Sequence, residues 1–144
     1  MTTRFRLGSP APAGTNSLWL EGFMAKTKTK GLRVNFVTMH RYARPKADDF
    51  LNNVTMLHEK YGKPVWVTEY AVADWNATTT RRSGYSRAQT EDLMRATVAG
   101  MSAMTVVESY DWKPGAALDP VLGSSALFHT KGTLTSTGRL YASP

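Results

Sequence analysis

The stretch Pro64-Val65-Trp66-Val67-Thr68-Glu69-Tyr70 decides how the chain is read. It is short, rich in β-branched and aromatic residues, and set off by Gly62 and Pro64, which marks a buried strand over Pro64 to Ala71. Before it, Phe50, Leu51, Val54, Leu57 and Tyr61 recur at helical spacing, so a helix is expected from about Ala47 to Tyr61, with Gly62 as its stop. Further upstream, Leu32 to Met39 reads as another strand that ends in His40-Arg41-Tyr42. Downstream, Ser86 and Gln89 form a capping box that opens a helix carrying Leu93, Ala96, Thr97 and Met101, and Met104 to Trp112 reads as a further strand.

The ends of the chain fit the same repeat. Arg4 to Ser9 alternates Phe5 and Leu7 with arginines, as a strand would, and Asn16 or Ser17 caps a helix through Leu18, Trp19, Leu20, Phe23 and Met24. Thr135 or Ser136 caps a last helix through Leu140 and Tyr141. Strand and helix alternating at this spacing imply a parallel sheet. Nearly unbroken apolar runs such as Val65 to Val67 suit a sheet covered on both faces.

The 144 residues suggest one domain over 1–144, long enough for a real core. The net charge of +7 comes from scattered Lys and Arg, and no nucleic-acid motif accompanies it, so the expectation is a solvated basic surface and no nucleic-acid partner. With no cysteine, disulfides, thiolate metal sites and a Cys nucleophile are excluded. The three histidines lack metal-ligand spacing, so neither a metal nor any other cofactor is expected. No apolar run approaches a membrane span, and the first ten residues have no signal-peptide core.

Polar and aromatic residues gather at the C-terminal ends of the strands: His40 and Tyr42, Glu69 and Tyr70 with Asp74 and Trp75 beyond, then Tyr110, Asp111 and Trp112. In parallel α/β folds that face carries active sites. Strict alternation puts Glu69 on one face with Val65 and Val67, His40 with Tyr42, Thr38 and Phe36, and Trp112 with Tyr110 and Glu108. Trp66 then turns to the helix layer, and Trp19 too reads as a packing residue. A mouth with a carboxylate, a histidine and several aromatic rings suits a sugar, with Trp75 and Tyr85 flanking a loop that can line a subsite. His58, beside Glu59, reads as a solvated pair, and His129 has no evident partner.

Gly8-Ser9-Pro10-Ala11, Val34 to Tyr42, Gly62 to Tyr70, Ser109 to Trp112 and Gly132 to Thr135 occur in that order. Together they resemble the glycosyl hydrolase catalytic core of the fungal alkali-sensitive-linkage protein type, the glycoside hydrolase family 128 group of endo-β-1,3-glucanases. The resemblance implies the C-terminal half, strands 5–8, of a (β/α)8 TIM barrel, acting on β-1,3-glucan or a related wall polysaccharide with retention. It implies Glu69 as nucleophile, His40 and Tyr42 as the groups that position it, and Trp112 as an aromatic platform. Tyr70, Trp75 and Tyr110, at the same strand ends, complete the expected substrate-binding set. It further implies an extracellular or cell-wall setting.

Three departures stand out. Arg41 occupies a position where the family often has an aromatic residue. Glu108 stands where a basic residue is usual, and turned inward it needs a partner. The Asn-Glu-Pro segment that carries the acid/base is absent, and neither Asp74 nor Asp111 is placed by a motif to replace it. The expectation is therefore a partial catalytic domain without its N-terminal half-barrel, prone to self-association through its open edges. The alternative is a non-catalytic glycan-binding remnant or an inactive truncated fragment.

Overall fold

The computed structural model describes residues 5–14 and 17–143. Four helices and three strands alternate: α1 Leu18–Thr29, β1 Val37–Ala43, α2 Ala47–Tyr61, β2 Val65–Val72, α3 Arg87–Ala103, β3 Val107–Trp112 and α4 Ser136–Ala142, with a short 3-10 turn at Gly123–Ser125 before α4. The strands form one parallel sheet in the order β1-β2-β3.

The helix ends follow local chemistry. The Ser17 hydroxyl accepts from the Leu20 amide and caps α1, Ser86 and Gln89 close the capping box of α3, and Thr135 caps α4. Gly62 ends α2 at φ 59°, the left-handed conformation that favours glycine.

The first expected strand, Arg4 to Ser9, is not one. Arg4 lies outside the described residues, and the stretch from Phe5 to Ala13 makes isolated bridges rather than a ladder, Gly8 opposite Phe36 just before β1 and Ala13 opposite His40 within it. Pro10 and Pro12, between those bridges, have no amide hydrogen to give a ladder. The segment is held instead by Ser9, whose hydroxyl accepts from the Thr38 amide at 3.0 Å while the Thr38 hydroxyl donates to the Ser9 carbonyl at 2.7 Å. A Cβ at Gly8 would overlap the Phe36 ring, so the close approach of this segment to β1 requires glycine. β1 begins at Val37 rather than near Leu32, and β3 begins at Val107 rather than Met104.

The core lies between the sheet and α2 and α3. Val37, Met39, Val65, Val67, Tyr70 and Val72 meet Phe50, Val54, Leu57, Leu93, Met94 and Met101 there, all buried. Two irregularities decide which strand residues enter it. Between β1 and β2 the register runs from Met39↔Val67 to His40↔Glu69, so Thr68 is left without a partner. Between β2 and β3 it runs from Val65↔Val107 to Trp66↔Ser109, which makes Glu108 the extra residue. Each bulge shifts the alternation of its strand by one.

That shift corrects the expected faces. Val65 and Val67 are in the helix-side core, not beside Glu69. Trp66 is on the opposite side, stacked on Phe36 at 4.0 Å and donating from its ring nitrogen to Glu108 at 2.8 Å. Beyond the bulge in β3, Tyr110 and Trp112 turn to the helix side while Glu108 stays with Trp66. Trp19 is not a packing residue in this chain: it is exposed and stacks only on Phe23 of the same helix.

Candidate active site

β1 and β2 deliver three side chains to one point. The bulge at Thr68 turns Glu69 to the open face of the sheet, where His40 and Tyr42 arrive from β1 two residues apart. The Tyr42 hydroxyl donates to Oε2 of Glu69. Nδ1 of His40 lies 3.8 Å from the same oxygen, and Nζ of Lys113, just past the end of β3, lies 3.6 Å from Oε1. The Glu69 side chain remains about one-third exposed (31%), so the carboxylate is held and still open to a ligand. Trp75 packs its edge against Tyr42 and donates from its ring nitrogen to the Tyr42 carbonyl at 3.2 Å. Its indole is mostly exposed, forming an aromatic wall beside the carboxylate.

Four of the seven expected site residues are thus brought together: His40, Tyr42, Glu69 and Trp75. The other three are not. Tyr70 is fully buried, tilted against Phe50, with burial pushing its phenol up to about 12. Trp112 is buried edge-on to Tyr70 and donates from its ring nitrogen to the Ser125 carbonyl at 2.9 Å. The Tyr110 hydroxyl reaches Ser102 of α3 at 3.2 Å. Tyr110 and Trp112 face the helix layer because the bulge at Glu108 reverses the parity that strict alternation assumes, and Tyr70, next to Glu69 in the strand, points to the face opposite it. Arg41 lies on that side too, beside Phe50 and Tyr70, away from the carboxylate.

The other carboxylates near the mouth are committed elsewhere or lack a motif. The two oxygens of Asp74 accept from the amides of Asn76 and Gly84, and the Gly84 bond above all holds its carboxyl below the usual range. Glu108 accepts from Trp66 and pairs with Arg6 at 2.7 Å, and these bonds, Trp66 first, lower its carboxyl in the same way. Asp111 is exposed on β3. His58 is held by the Lys63 carbonyl at 2.8 Å rather than paired with Glu59.

Lys113 was missed in the sequence. The residue two before it, Asp111, lies on the same strand face, and that spacing alone points Lys113 toward the mouth once the bulge at Glu108 is known.

Residues 1–141 match the family model described as the glycosyl hydrolase catalytic core. The chain belongs to this family. Alkali-sensitive linkage protein 1 of Schizosaccharomyces pombe is 28% identical over 141 residues, covering 95% of this chain and 25% of that protein. Among solved structures, a subgroup I endo-β-1,3-glucanase of glycoside hydrolase family 128 from Amycolatopsis mediterranei, in complex with laminaritriose, matches with a TM-score of 0.79 at 29% identity. That match covers 94% of this chain and 57% of the other. A subgroup V exo-β-1,3-glucanase from Cryptococcus neoformans matches with a TM-score of 0.76 at 24% identity, over 94% and 53% of the two chains, a likeness of fold. This glycosyl hydrolase core segment spans a quarter of the curated relative and just over half of the solved structures it matches.

Proposed function

We propose that this segment supplies the nucleophile half of a retaining β-1,3-glucan hydrolase site, built on the C-terminal half of a (β/α)8 barrel. The observation that carries the reading is the convergence of Tyr42, His40 and Lys113 on the two oxygens of Glu69. Membership of the family and the likeness to glucanases 29% identical to this chain support the substrate class.

In this reading Glu69 attacks the anomeric carbon and forms a glycosyl-enzyme, which water then hydrolyses with net retention. An ionised, correctly turned carboxylate is needed for attack. The Tyr42 hydroxyl fixes Oε2, leaving Oε1 to face the sugar. Trp75 offers an exposed aromatic face for the C–H side of a pyranose ring.

A retaining site needs a second carboxyl group about 5–5.5 Å from the nucleophile. Asp74 and Glu108 are already hydrogen-bonded to other groups and no motif places Asp111 as an acid/base, so we assign that role to polypeptide beyond these 144 residues. The open face of the sheet, with Trp66 and Phe36, would be covered by that same polypeptide or by a second copy of the segment. An extracellular or wall-associated setting follows from the substrate.

The test is a laminarin assay on this chain and on Glu69→Gln. Binding in both without release of reducing sugar is the behaviour of a nucleophile half. Reducing sugar released by the wild-type chain would mean that the acid/base lies within it and would overturn this assignment.

A further inference from the structure

Two stretches of the chain have the form Asn-x-Thr with no proline at the middle position: Asn53-Val54-Thr55 and Asn76-Ala77-Thr78. That pattern accepts N-linked glycans, and it suits an asparagine on a surface loop. The fold separates the two.

Asn53 lies in the middle of α2. It is half-buried, and its Nδ2 donates to the Asp49 carbonyl one turn back. The Thr55 hydroxyl donates in the same way to the Leu51 carbonyl at 3.2 Å. Side chains two apart on a helix do not face each other, so the amide and the hydroxyl of this pattern point to different sides of α2.

Asn76 lies in the loop after β2. The Ala77 amide donates to the Asp74 carbonyl at 2.9 Å, closing a turn with Trp75 and Asn76 at its tip. Oδ1 of Asp74 also accepts from the Asn76 amide at 3.1 Å, so the turn is fixed by a carboxylate. The Asn76 side chain is exposed and makes no hydrogen bond among the described residues. Thr78 is exposed as well, its hydroxyl accepting from the amides of Thr80 and Arg81. Nothing in the fold competes for Nδ2 of Asn76, and a large polar substituent there displaces no packed side chain.

We infer that Asn76, and not Asn53, is an N-glycan acceptor, and that its glycan covers the exposed loop carrying Trp75, Arg81 and Arg82. The donor is an oligosaccharide on a polyprenyl diphosphate. Nδ2 of Asn76 bonds to C1 of the sugar, the C1–oxygen bond to the carrier breaks, the diphosphate leaves with the electron pair, and the amide gives up one proton. Nothing is oxidised or reduced. Passage of the chain through a secretory compartment rests on the extracellular setting proposed above.

Secretion of the 144-residue chain from a eukaryotic host behind a cleavable leader tests this. Peptide-N-glycosidase turns a glycosylated asparagine into aspartate, which mass spectrometry of the digest locates. Aspartate is expected at position 76 and unaltered asparagine at position 53. Asn76→Gln and Thr78→Ala should each abolish the glycan, and Asn53→Gln should leave it. Chain retained inside the cell is read in the same way, so poor secretion does not hide the result. Trypsin should cut after Arg81 and Arg82 severalfold faster in Asn76→Gln than in the glycosylated chain. A bare Asn76, or a glycan carried equally at Asn53, would overturn the inference, and equal trypsin rates would overturn the covering role. None of these results bears on Glu69, which the laminarin assay decides separately.

Discussion

Trp66 and Glu69 lie three residues apart in β2 and still face the same side of the sheet, because Thr68 between them has no partner on β1. The same bulge sends Tyr70 into the core. One unpaired residue therefore separates the site from the packing: Glu69 is left partly exposed among His40, Tyr42 and Lys113, and Tyr70 is sealed between Phe50 and Trp112.

Tyr70 makes the chain sensitive to base. Its folded value of about 12 stands above the ordinary 10. The folded state therefore keeps a proton that the unfolded state gives up, and stability falls as pH rises from 10 through about 12. The stabilisation lost across that window is about 2–3 kcal/mol. Urea unfolding at stepped pH should show the decline in the wild type and a flatter profile in Tyr70→Phe.

Tyr42→Phe removes the hydroxyl that holds Oε2 of Glu69 and leaves the ring against Trp75. A hydrogen bond to a charged group is worth about 1.5–3 kcal/mol. In an active polypeptide containing this segment, kcat should drop about 10–150-fold with little change in unfolding temperature. Steady-state kinetics beside a thermal melt separates the two.

Gly8→Ala drives a methyl group into the Phe36 ring, which is stacked on Trp66. Overpacking of this kind costs about 1–3 kcal/mol. The urea midpoint should fall, and the ring-current shifts of the Phe36–Trp66 stack should change with it.

Asp74→Ala releases the loop it holds through Gly84 and Asn76. Trypsin should then cut after Arg81 and Arg82 faster than in the wild type at neutral pH. Because the carboxyl is held below its ordinary 3.8, its contribution is full above that pH and is lost as pH falls through its lower folded value. Hydrogen exchange at the Gly84 amide in acid should report that loss.

Much of this was legible in the sequence because it rests on local chemistry. Ser17, the Ser86–Gln89 box, Thr135 and Gly62 state helix ends in single residues. The gathering of His40, Tyr42, Glu69 and Trp75 follows from their place at the ends of parallel strands. What strict alternation misses is a change of parity. Nothing in Val67-Thr68-Glu69 or Val107-Glu108-Ser109 announces an unpaired residue, since a bulge is a relation between two strands and each was read alone. The misplaced faces of Trp66, Tyr110 and Trp112 share that origin, whereas Tyr70, adjacent to Glu69, belongs to the opposite face with or without a bulge. Lys113 was overlooked for the same reason.

The central claim is that Glu69 is the nucleophile, and the most direct measurement needs no acid/base. A 2-deoxy-2-fluoro-β-laminaribioside with a dinitrophenolate leaving group departs without protonation, so a lone nucleophile can capture the sugar. Mass spectrometry of the digested chain should find the added fluoro-sugar on the peptide carrying Glu69 and none in Glu69→Gln. An unmodified wild-type chain, or an adduct that survives in Glu69→Gln, would contradict the account.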